Sequence, residues 1–323
     1  MSARTRRIGV GAALLAAWVA GSSLGAVPAP PSARAGALFQ IESAHAEHRP
    51  ALDGSTPVFI VLIGSDARLE NGEDPTEARA DSIHLIGVNP AEGKASILGF
   101  PRDSYVPIPG VGSNKINAAM AMGGPELVVE TVEQLTGVTV DYWALTWFEG
   151  FEAMIHEIGG LSLDVPFDVF DSYAHARLEA GPQVLSGPSA LAFARARHAL
   201  PQGDFGRSEN QGRLMIAALA QFKKEFAKNP ARMLAWIGAG FRNARTDVPL
   251  DELITLAFTG ASLAHKNVPN VVLPGSVGTA GNVSVVNLDQ TILQAITRDL
   301  QDDGLISRAN MPPSPNAGLL GTE

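Results

Sequence analysis

The residues best suited to chemistry in this chain are arginines that stand at short intervals, often with an aspartate close by. Two like charges about 4 Å apart repel by roughly 4 kcal/mol at an effective dielectric constant near 20. Arginines gathered at one place therefore indicate a bound polyanion or facing carboxylates, because a planar guanidinium group donates paired hydrogen bonds to phosphate or carboxylate oxygens. The five arginines occur in the segments GSDAR, RADS, PRDS and FARAR, and they are Arg68, Arg79, Arg102, Arg195 and Arg197.

The chain as a whole is acidic, so any anion-binding site must be local. Its 323 residues include 24 lysines and arginines against 33 aspartates and glutamates, which gives a formal net charge of -9. This balance argues against nucleic acid as a partner. The sequence has no cysteine, which excludes disulfides, thiolate catalysis and cysteine-ligated metals. The seven histidines are scattered without a metal-binding spacing.

The amino terminus has the pattern of a membrane segment. Arg4, Arg6 and Arg7 precede an uncharged stretch over residues 8–27. A basic flank followed by about twenty uncharged residues is typical of a signal anchor whose amino terminus is cytoplasmic. We therefore predict a single-pass anchor in the cytoplasmic membrane over residues 1–28, a linker over 29–56 and an extracytoplasmic domain after it. Small residues near 24–26 and 33–37 leave a cleaved signal peptide, and hence an exported protein, as the alternative.

Three apolar runs separated by turns follow the linker and predict three strands, over residues 58–64, 82–88 and 94–100. If they run up, down and up, the end of the first strand, the start of the second and the end of the third lie on one edge of the sheet. The loop over residues 67–80 returns the chain to that edge. Six charged residues would then meet there: Asp66, Arg68, Arg79, Asp81, Arg102 and Asp103.

Beyond residue 100 helices and strands alternate, which favours a mixed α/β fold. A helix over residues 186–194 is expected to end before Arg195, because Arg195 and Arg197 share a face only where the chain is extended. The next helix, from Asp204 to about residue 227, places Arg207 and Gln211 on one face, and its free N-terminal amides favour anions. Residues 307–323, rich in proline, predict a flexible tail.

Together these segments resemble the LytR-CpsA-Psr family. The resemblance rests on LIGSDAR, RADSIHL, GFPRDSYV, NKINAAMAMGG, GPQVLSGPSALAFARAR and DFGR followed by Gln211, over residues 58–222. It implies an α/β/α sandwich with a mixed central sheet and a hydrophobic cavity for a prenyl chain, as a catalytic domain over residues 57–306. It also implies Mg2+-assisted transfer of a glycopolymer from a polyprenyl-pyrophosphate carrier to the cell wall, usually peptidoglycan, outside the cytoplasmic membrane.

The resemblance also implies roles for particular residues. Asp66 and Asp81 would hold Mg2+, directly or through water, since a hard dication takes carboxylate and phosphate oxygens. Either aspartate could also accept the proton of the acceptor hydroxyl. The residues expected to grip the pyrophosphate are Arg79, Arg102, Arg195 and Arg197, and the second-rank substrate contacts are Arg68, Lys115, Asn117, Arg207 and Gln211.

One position departs from the family pattern, and other functions stay open. The family usually has a second arginine three residues after that of DFGR, where this chain has Asn210. A phosphate contact could therefore be missing, which suggests a lipid-phosphate binding protein with weakened catalysis; a pyrophosphatase is a further alternative. Arg195 and Arg197 could instead form structural ion pairs with Asp66, Asp81 or Asp103. Transcriptional regulation is disfavoured because the acidic chain has no basic recognition helix.

Overall fold

The computed structural model describes residue 54 and residues 56–320. The predicted anchor over residues 1–28 and nearly all of the predicted linker lie outside the described residues. Within the described part of the chain, no helix combines the length and the apolar character needed to cross a membrane.

A six-stranded mixed sheet forms the centre of the fold, with the strand order β11-β6-β1-β2-β3-β12. The predicted up-down-up arrangement is confirmed, because β1 is antiparallel to β2 and β2 is antiparallel to β3. β6 lies parallel to β1 on the other side, and β12 is parallel to β3. The six strands are β1 (Val58–Ser65), β2 (Ala80–Asn89), β3 (Lys94–Gly99), β6 (Tyr142–Thr146), β11 (Arg245–Thr246) and β12 (Asn270–Val272).

Helices cover both faces of this sheet, which confirms the predicted sandwich. Along β1, alternate side chains such as Val61 and Ile63 enter a core that also holds Val128 of α1 and Ile296 of α7. On the opposite face, Ile60 packs in a cluster with side chains of α4 and α6. The helices are α1 (Ala118–Thr136), α2 (Phe148–Glu157), α3 (Gly187–Arg195), α4 (Asp204–Lys228), α5 (Arg232–Asn243), α6 (Leu250–Ser262) and α7 (Gln290–Asp303).

A second, smaller core lies beside the sheet and positions the FARAR segment. Phe193 of α3 and Leu214 of α4 are buried in it together with side chains of two short hairpins. The strands of these hairpins are β7 (Leu161–Val165), β8 (Val169–Asp171), β9 (Ala176–Leu178) and β10 (Gly181–Leu185). The four remaining strands, which also pair in twos, are β4 (Tyr105–Ile108), β5 (Gly112–Lys115), β13 (Gly275–Ala280) and β14 (Val283–Leu288).

The carboxy-terminal segment differs from its prediction as a flexible tail. Residues 307–320 include two 3-10 turns, and Asn316 is completely buried against α4. The backbone N–H of Asn316 donates to Glu209 at 3.2 Å, and its side-chain amide donates to the carbonyl of Gly206 at 3.1 Å. A side chain at position 206 would collide with Asn316, because a Cβ there would lie 2.4 Å from its Oδ1. The polar tail residues therefore find hydrogen-bond partners on α4.

A buried histidine makes stability depend on pH. His84 on β2 is completely buried between Ser82 and the carbonyl of Ser208, with contacts of 3.1 Å to each. Burial disfavours the charged ring and, against the opposing hydrogen bond to Ser208, lowers the pKa of His84 from 6.5 to about 4. The unfolded chain thus binds more protons than the folded chain between these two values, so stability falls as pH is lowered through that window.

We expect the free energy of unfolding to drop by roughly 3 kcal/mol between pH 7 and pH 4 on account of His84. Urea titrations across this range should show a shallower pH dependence for His84→Gln than for the parent. The exposed His156 provides the matched control, since His156→Gln should keep the parent slope. Equal slopes for all three proteins would contradict the assignment.

Candidate functional site

The charged residues around the first three strands meet at one edge of the sheet, as the strand order predicts. Ser65 at the end of β1 pairs with Ala80 at the start of β2. Beyond this pair, the backbone N–H of Asp66 donates to the carbonyl of Arg79 at 3.0 Å. The N–H of Arg79 donates in return to the Asp66 carboxylate at 2.9 Å. These reciprocal bonds close the loop between β1 and β2 and fix Asp66 at the edge.

Asp66 and Asp81 form an acidic pair in this edge. Arg102, which follows β3, donates a hydrogen bond to Asp81 and lies 3.7 Å from Asp204. Partial burial, with repulsion from Asp81, raises the pKa of Asp66 despite the hydrogen bond from Arg79. Asp81 is held by arginines, whereas the only hydrogen bond to the Asp66 side chain from the described residues comes from a backbone amide.

The start of α4 adds a buried arginine and a third aspartate. Arg207 is only 5% exposed, and its guanidinium group lies 2.6 Å from Asp204 and 3.9 Å from Asp81. The close contact with Asp204 lacks hydrogen-bond geometry: both carboxylate oxygens of Asp204 and the Nε of Arg102 and of Arg207 are buried without a hydrogen bond. Burial lowers the pKa of Arg207, Asp204 and Asp81 oppose this effect, and the charges of Arg102 and Arg197 add to it. Arg197 therefore belongs to the same electrostatic cluster.

The FARAR segment is extended after Arg195, one residue later than predicted. α3 ends at Arg195, and Ala196 leaves the helical region with φ −59° and ψ 127°. The Arg195 guanidinium lies over the ring of Phe148, 4.5 Å from its centroid, just beyond the end of β6. Because β6 and β1 are parallel, this places Arg195 at the same edge. Neither Arg195 nor Arg197 pairs with a carboxylate in the described chain, so the alternative of structural ion pairs to Asp66, Asp81 or Asp103 is not realised.

The second-rank residues lie at different distances from the cluster. Lys115 pairs with Asp103 at 3.1 Å, and the backbone N–H of the buried Asn117 donates to the carbonyl of Arg102. Gln211 donates to the carbonyl of Ala194 at 3.1 Å and so ties the end of α3 to α4. Arg68 is exposed on the loop, and the structure gives its side chain no contact with the cluster.

Asn210 does not stand in for a phosphate-binding arginine. It is completely buried, and its Oδ1 accepts a hydrogen bond from Asn316 of the carboxy-terminal segment at 3.4 Å. On α4 it points about 60° away from Arg207, toward that segment. The departure from the family pattern at position 210 thus accompanies a local packing arrangement in which Asn316 occupies the neighbouring space.

Asn210→Arg is therefore expected to destabilise the protein rather than strengthen substrate binding. A guanidinium group at this buried position would displace Asn316 and break the hydrogen bonds that hold it to Glu209, Gly206 and Asn210. We expect a loss of about 2 kcal/mol or more in the free energy of unfolding, measured by urea titration. The exposed Lys224→Arg on the same helix should leave stability unchanged. An Asn210→Arg protein with parent stability and faster turnover would instead indicate that the chain lacks a phosphate contact at this position.

Sequence reasoning placed Asp204 at the start of a helix and missed it as a member of the site. The cap residue of that helix is Gly203, and the Asp204 carboxylate faces two arginines. The signal was present in the i,i+3 spacing of Asp204 and Arg207. The partner Arg102 is distant in sequence, so only the fold could reveal it.

At the edge of the α/β sandwich, four arginines of one electrostatic cluster thus face three aspartates, with Arg195 alongside them, and an excess of guanidinium groups of this kind is suited to binding an anion. The sequence model of the LytR_cpsA_psr family matches residues 35–302, and the chain belongs to this family. The resemblance noted in the sequence is thereby confirmed.

Curated relatives and solved structures agree with this membership. The chain is 32% identical over 258 residues to the polyisoprenyl-teichoic acid–peptidoglycan teichoic acid transferase TagT of Bacillus subtilis, covering 77% of this chain and 78% of that protein. It is 39% identical over 228 residues to TagU of Bacillus anthracis, which carries the same transferase name, covering 68% and 70%. These names bear out the predicted enzyme class, a transferase.

Among solved structures, TagV of B. subtilis superimposes with a TM-score of 0.67 at 27% identity, covering 80% of this chain and 99% of that one. A structure of TagT with bound octaprenyl pyrophosphate lipid superimposes with a TM-score of 0.61 at 26% identity, covering 82% and 96%. The described domain thus has the fold of proteins solved with such a lipid.

Proposed function

We propose that this chain transfers a glycopolymer from a polyprenyl-pyrophosphate carrier to a hydroxyl group of the cell wall, with peptidoglycan as the acceptor. The observation that carries the proposal is the set of arginines whose guanidinium groups form no salt bridge with a carboxylate of the described chain. Arg79, Arg195 and Arg197 have none, while Arg102 and Arg207 share Asp81 and Asp204. Such a surplus of guanidinium groups favours a ligand with several phosphate oxygens.

In the proposed reaction the acceptor hydroxyl attacks the phosphorus that carries the glycan. A new P–O bond forms, the P–O–P anhydride breaks, and polyprenyl phosphate departs with the electron pair of that bond. The arginines stabilise the charge that develops on the phosphate oxygens and on the leaving group, which is where electrostatic catalysis has its largest effect. Asp66, with an uncommitted carboxylate oxygen, is the better placed of the two aspartates to accept the proton.

The acidic pair fits a role in magnesium binding when substrate is present. Among the described residues, no group of three or more potential ligand side chains surrounds a common point. In phosphate sites Mg2+ is usually coordinated by one or two carboxylates, with phosphate oxygens and waters as the other ligands. A pair of neighbouring carboxylates such as Asp66 and Asp81 fits this pattern. Asp66 and Asp81 would hold the ion, and its charge would offset that of the phosphates.

The face of the sheet that α4 and α6 cover supports a site for the prenyl chain. Ile60 and Ile86 of this face, like Leu253 and Leu256 of α6, are only partly buried, whereas Val61 on the opposite face is fully buried. α6 is apolar in sequence, yet none of its residues is fully buried. Apolar surface that packs incompletely inside a domain is typical of a ligand cavity. The proposed lipid path would run along β1 toward Asp66.

A transfer assay with the soluble domain tests this function. The domain would be incubated with lipid-linked glycan, wall fragments and Mg2+, with a chelated sample in parallel. We expect transfer that is lost in the chelated sample and in the Arg102→Ala variant. Absence of both transfer and pyrophosphate cleavage, together with parent-like behaviour of Arg102→Ala, would contradict the proposal.

The proposed location of this activity is the outer side of the cytoplasmic membrane, where the amino-terminal anchor would hold the domain. The support is the sequence pattern over residues 1–28. A reporter fused after residue 323 should be active only outside the cytoplasm. Cell fractionation would distinguish the two alternatives: an uncleaved anchor keeps the protein in the membrane fraction, whereas a cleaved signal peptide releases it.

A further inference from the structure

A buried aspartate joins the FARAR segment to a neighbouring hairpin. Asp171, at the end of β8, is 2% exposed and accepts four backbone hydrogen bonds. One carboxylate oxygen accepts from Tyr173 at 3.0 Å and from Ala174 at 3.2 Å. The other accepts from Arg197 and His198, each at 2.8 Å. The hairpin turn and the arginine segment are therefore fixed to one carboxylate.

This carboxylate stays charged under all physiological conditions. Burial by itself would raise the pKa of Asp171, but the four backbone N–H groups outweigh it and lower the pKa to about 2. The carboxylate that joins the hairpin to the backbone of Arg197 is therefore ionised at neutral pH. The Asp171 carboxylate thus places the side chains of the hairpin turn close to Arg197.

An exposed pair of rings forms where the hairpin turn meets the segment that follows Arg197. Tyr173 is 74% exposed, and its ring centroid lies 4.3 Å from that of His198 at an interplanar angle of 36°. The His198 side chain is 45% exposed, and its Nδ1 lies 3.5 Å from Asp171. The backbone of both residues is held by hydrogen bonds to Asp171, and their two rings, which are in contact and open to solvent, form an exposed aromatic platform. It directly adjoins Arg197, which belongs to the anion cluster.

We propose that the Tyr173–His198 ring pair is the binding subsite for the carbohydrate acceptor of the transfer reaction. This inference rests on the proposed function. A pyranose ring has an apolar C–H face and a polar rim, and the ring pair offers the complement: aromatic faces with a phenol hydroxyl and imidazole nitrogens at their edges. The adjoining Arg197 would hold the donor phosphate, so that an acceptor stacked here presents its hydroxyl groups toward that phosphate.

The chemistry of the pair favours a sugar over other ligands. A lipid would require a continuous apolar patch, whereas these rings have polar edges and polar neighbours. A single-stranded nucleic acid also stacks on aromatic rings, but it needs a basic groove along its backbone, and the chain carries a net charge of -9.

The test measures transfer by the full-length chain at saturating donor while the concentration of soluble peptidoglycan glycan strands is varied. For Tyr173→Ala we expect an acceptor KM about ten-fold higher than that of the parent, from the loss of one stacked ring. Tyr173→Phe, which keeps the ring but loses the hydroxyl group, should raise the acceptor KM less than Tyr173→Ala does. Phe170→Ala is the matched control, because Phe170 is 53% exposed on the same hairpin and the structure shows no ring contact between it and His198.

A direct binding measurement makes the result independent of turnover. A chito-oligosaccharide, chosen as a soluble N-acetylhexosamine probe, should shift the NMR ring resonances of Tyr173 in the parent and bind more weakly to Tyr173→Ala and His198→Ala. An unchanged acceptor KM in Tyr173→Ala, or an equal rise in Phe170→Ala, would overturn the platform. If the parent transferred to no acceptor at all, the proposed function would fail, and the binding measurement alone would then decide the platform.

Discussion

Replacing Arg102 with alanine is expected to lower the rate of glycan transfer by about three orders of magnitude or more. Arg102 lies within the charged cluster at the sheet edge, hydrogen-bonded to Asp81 and close to Asp204. A single arginine that stabilises the charge developing on a transferred phosphoryl group is worth about 10³ to 10⁵ in rate in other systems. Arg102→Lys should recover only a small part, since an ammonium group lacks the planar fork that binds two phosphate oxygens.

The measurement is kcat and KM for the lipid-linked donor with purified variants. Arg242→Ala is a suitable control, because Arg242 is also ion-paired, but it is exposed and its guanidinium group bonds to Glu157 and not to a residue of the proposed site. Its activity should match that of the parent. An Arg102→Ala protein with parent kcat would remove this arginine from the proposed mechanism.

Replacing Asp204 with asparagine is expected to cost about 3 kcal/mol of the free energy of unfolding and most of the transfer activity. Arg207 is 5% exposed and lies 2.6 Å from Asp204, and its other carboxylate, Asp81, is 3.9 Å away. Removing one partner of a buried ion pair leaves an uncompensated charge in a poorly hydrated place, which costs more than the pair contributes. The change is isosteric, so the loss reports charge rather than volume.

A double-mutant comparison isolates the cause. Combining Asp204→Asn with Arg207→Met removes both charges, and this protein should regain more than half of the lost stability in urea titrations. Asp251→Asn, at an exposed position in the first turn of α6, should leave stability nearly unchanged. If the single and the double variant are equally unstable, the ion pair is not the source of the effect.

The edge of the sheet could be predicted from the sequence because its geometry follows from local rules. Alternating apolar residues and short turns determine three antiparallel strands, and such strands bring the ends of β1 and β3 beside the start of β2. Asp66, Arg79 and Asp81 are placed by this rule alone. The end of the helix in the FARAR segment could be predicted because two arginines two positions apart share a face only where the chain is extended.

Other parts of the site depend on contacts between distant residues, and no local pattern reveals them. Asp204 joins the site only because α4 starts beside Arg102, and Asp171 binds the backbone of Arg197 across 26 positions of sequence. The packing of Asn316 on α4 spans more than one hundred positions. Composition suggested a flexible tail there, but the polar side chains find specific partners on the helix.

Transfer of the glycan-bearing phosphate to a hydroxyl group of the wall, and not to water, distinguishes the proposed transferase from a pyrophosphatase. The most direct measurement is product analysis by mass spectrometry after reaction of a defined lipid-linked glycan with glycan strands in 18O-labelled water. We predict one polyprenyl phosphate released for each phosphodiester formed between glycan and acceptor, with no 18O in the product phosphate. Free glycan phosphate containing 18O, with no phosphodiester to the acceptor, would show a pyrophosphatase and contradict the account.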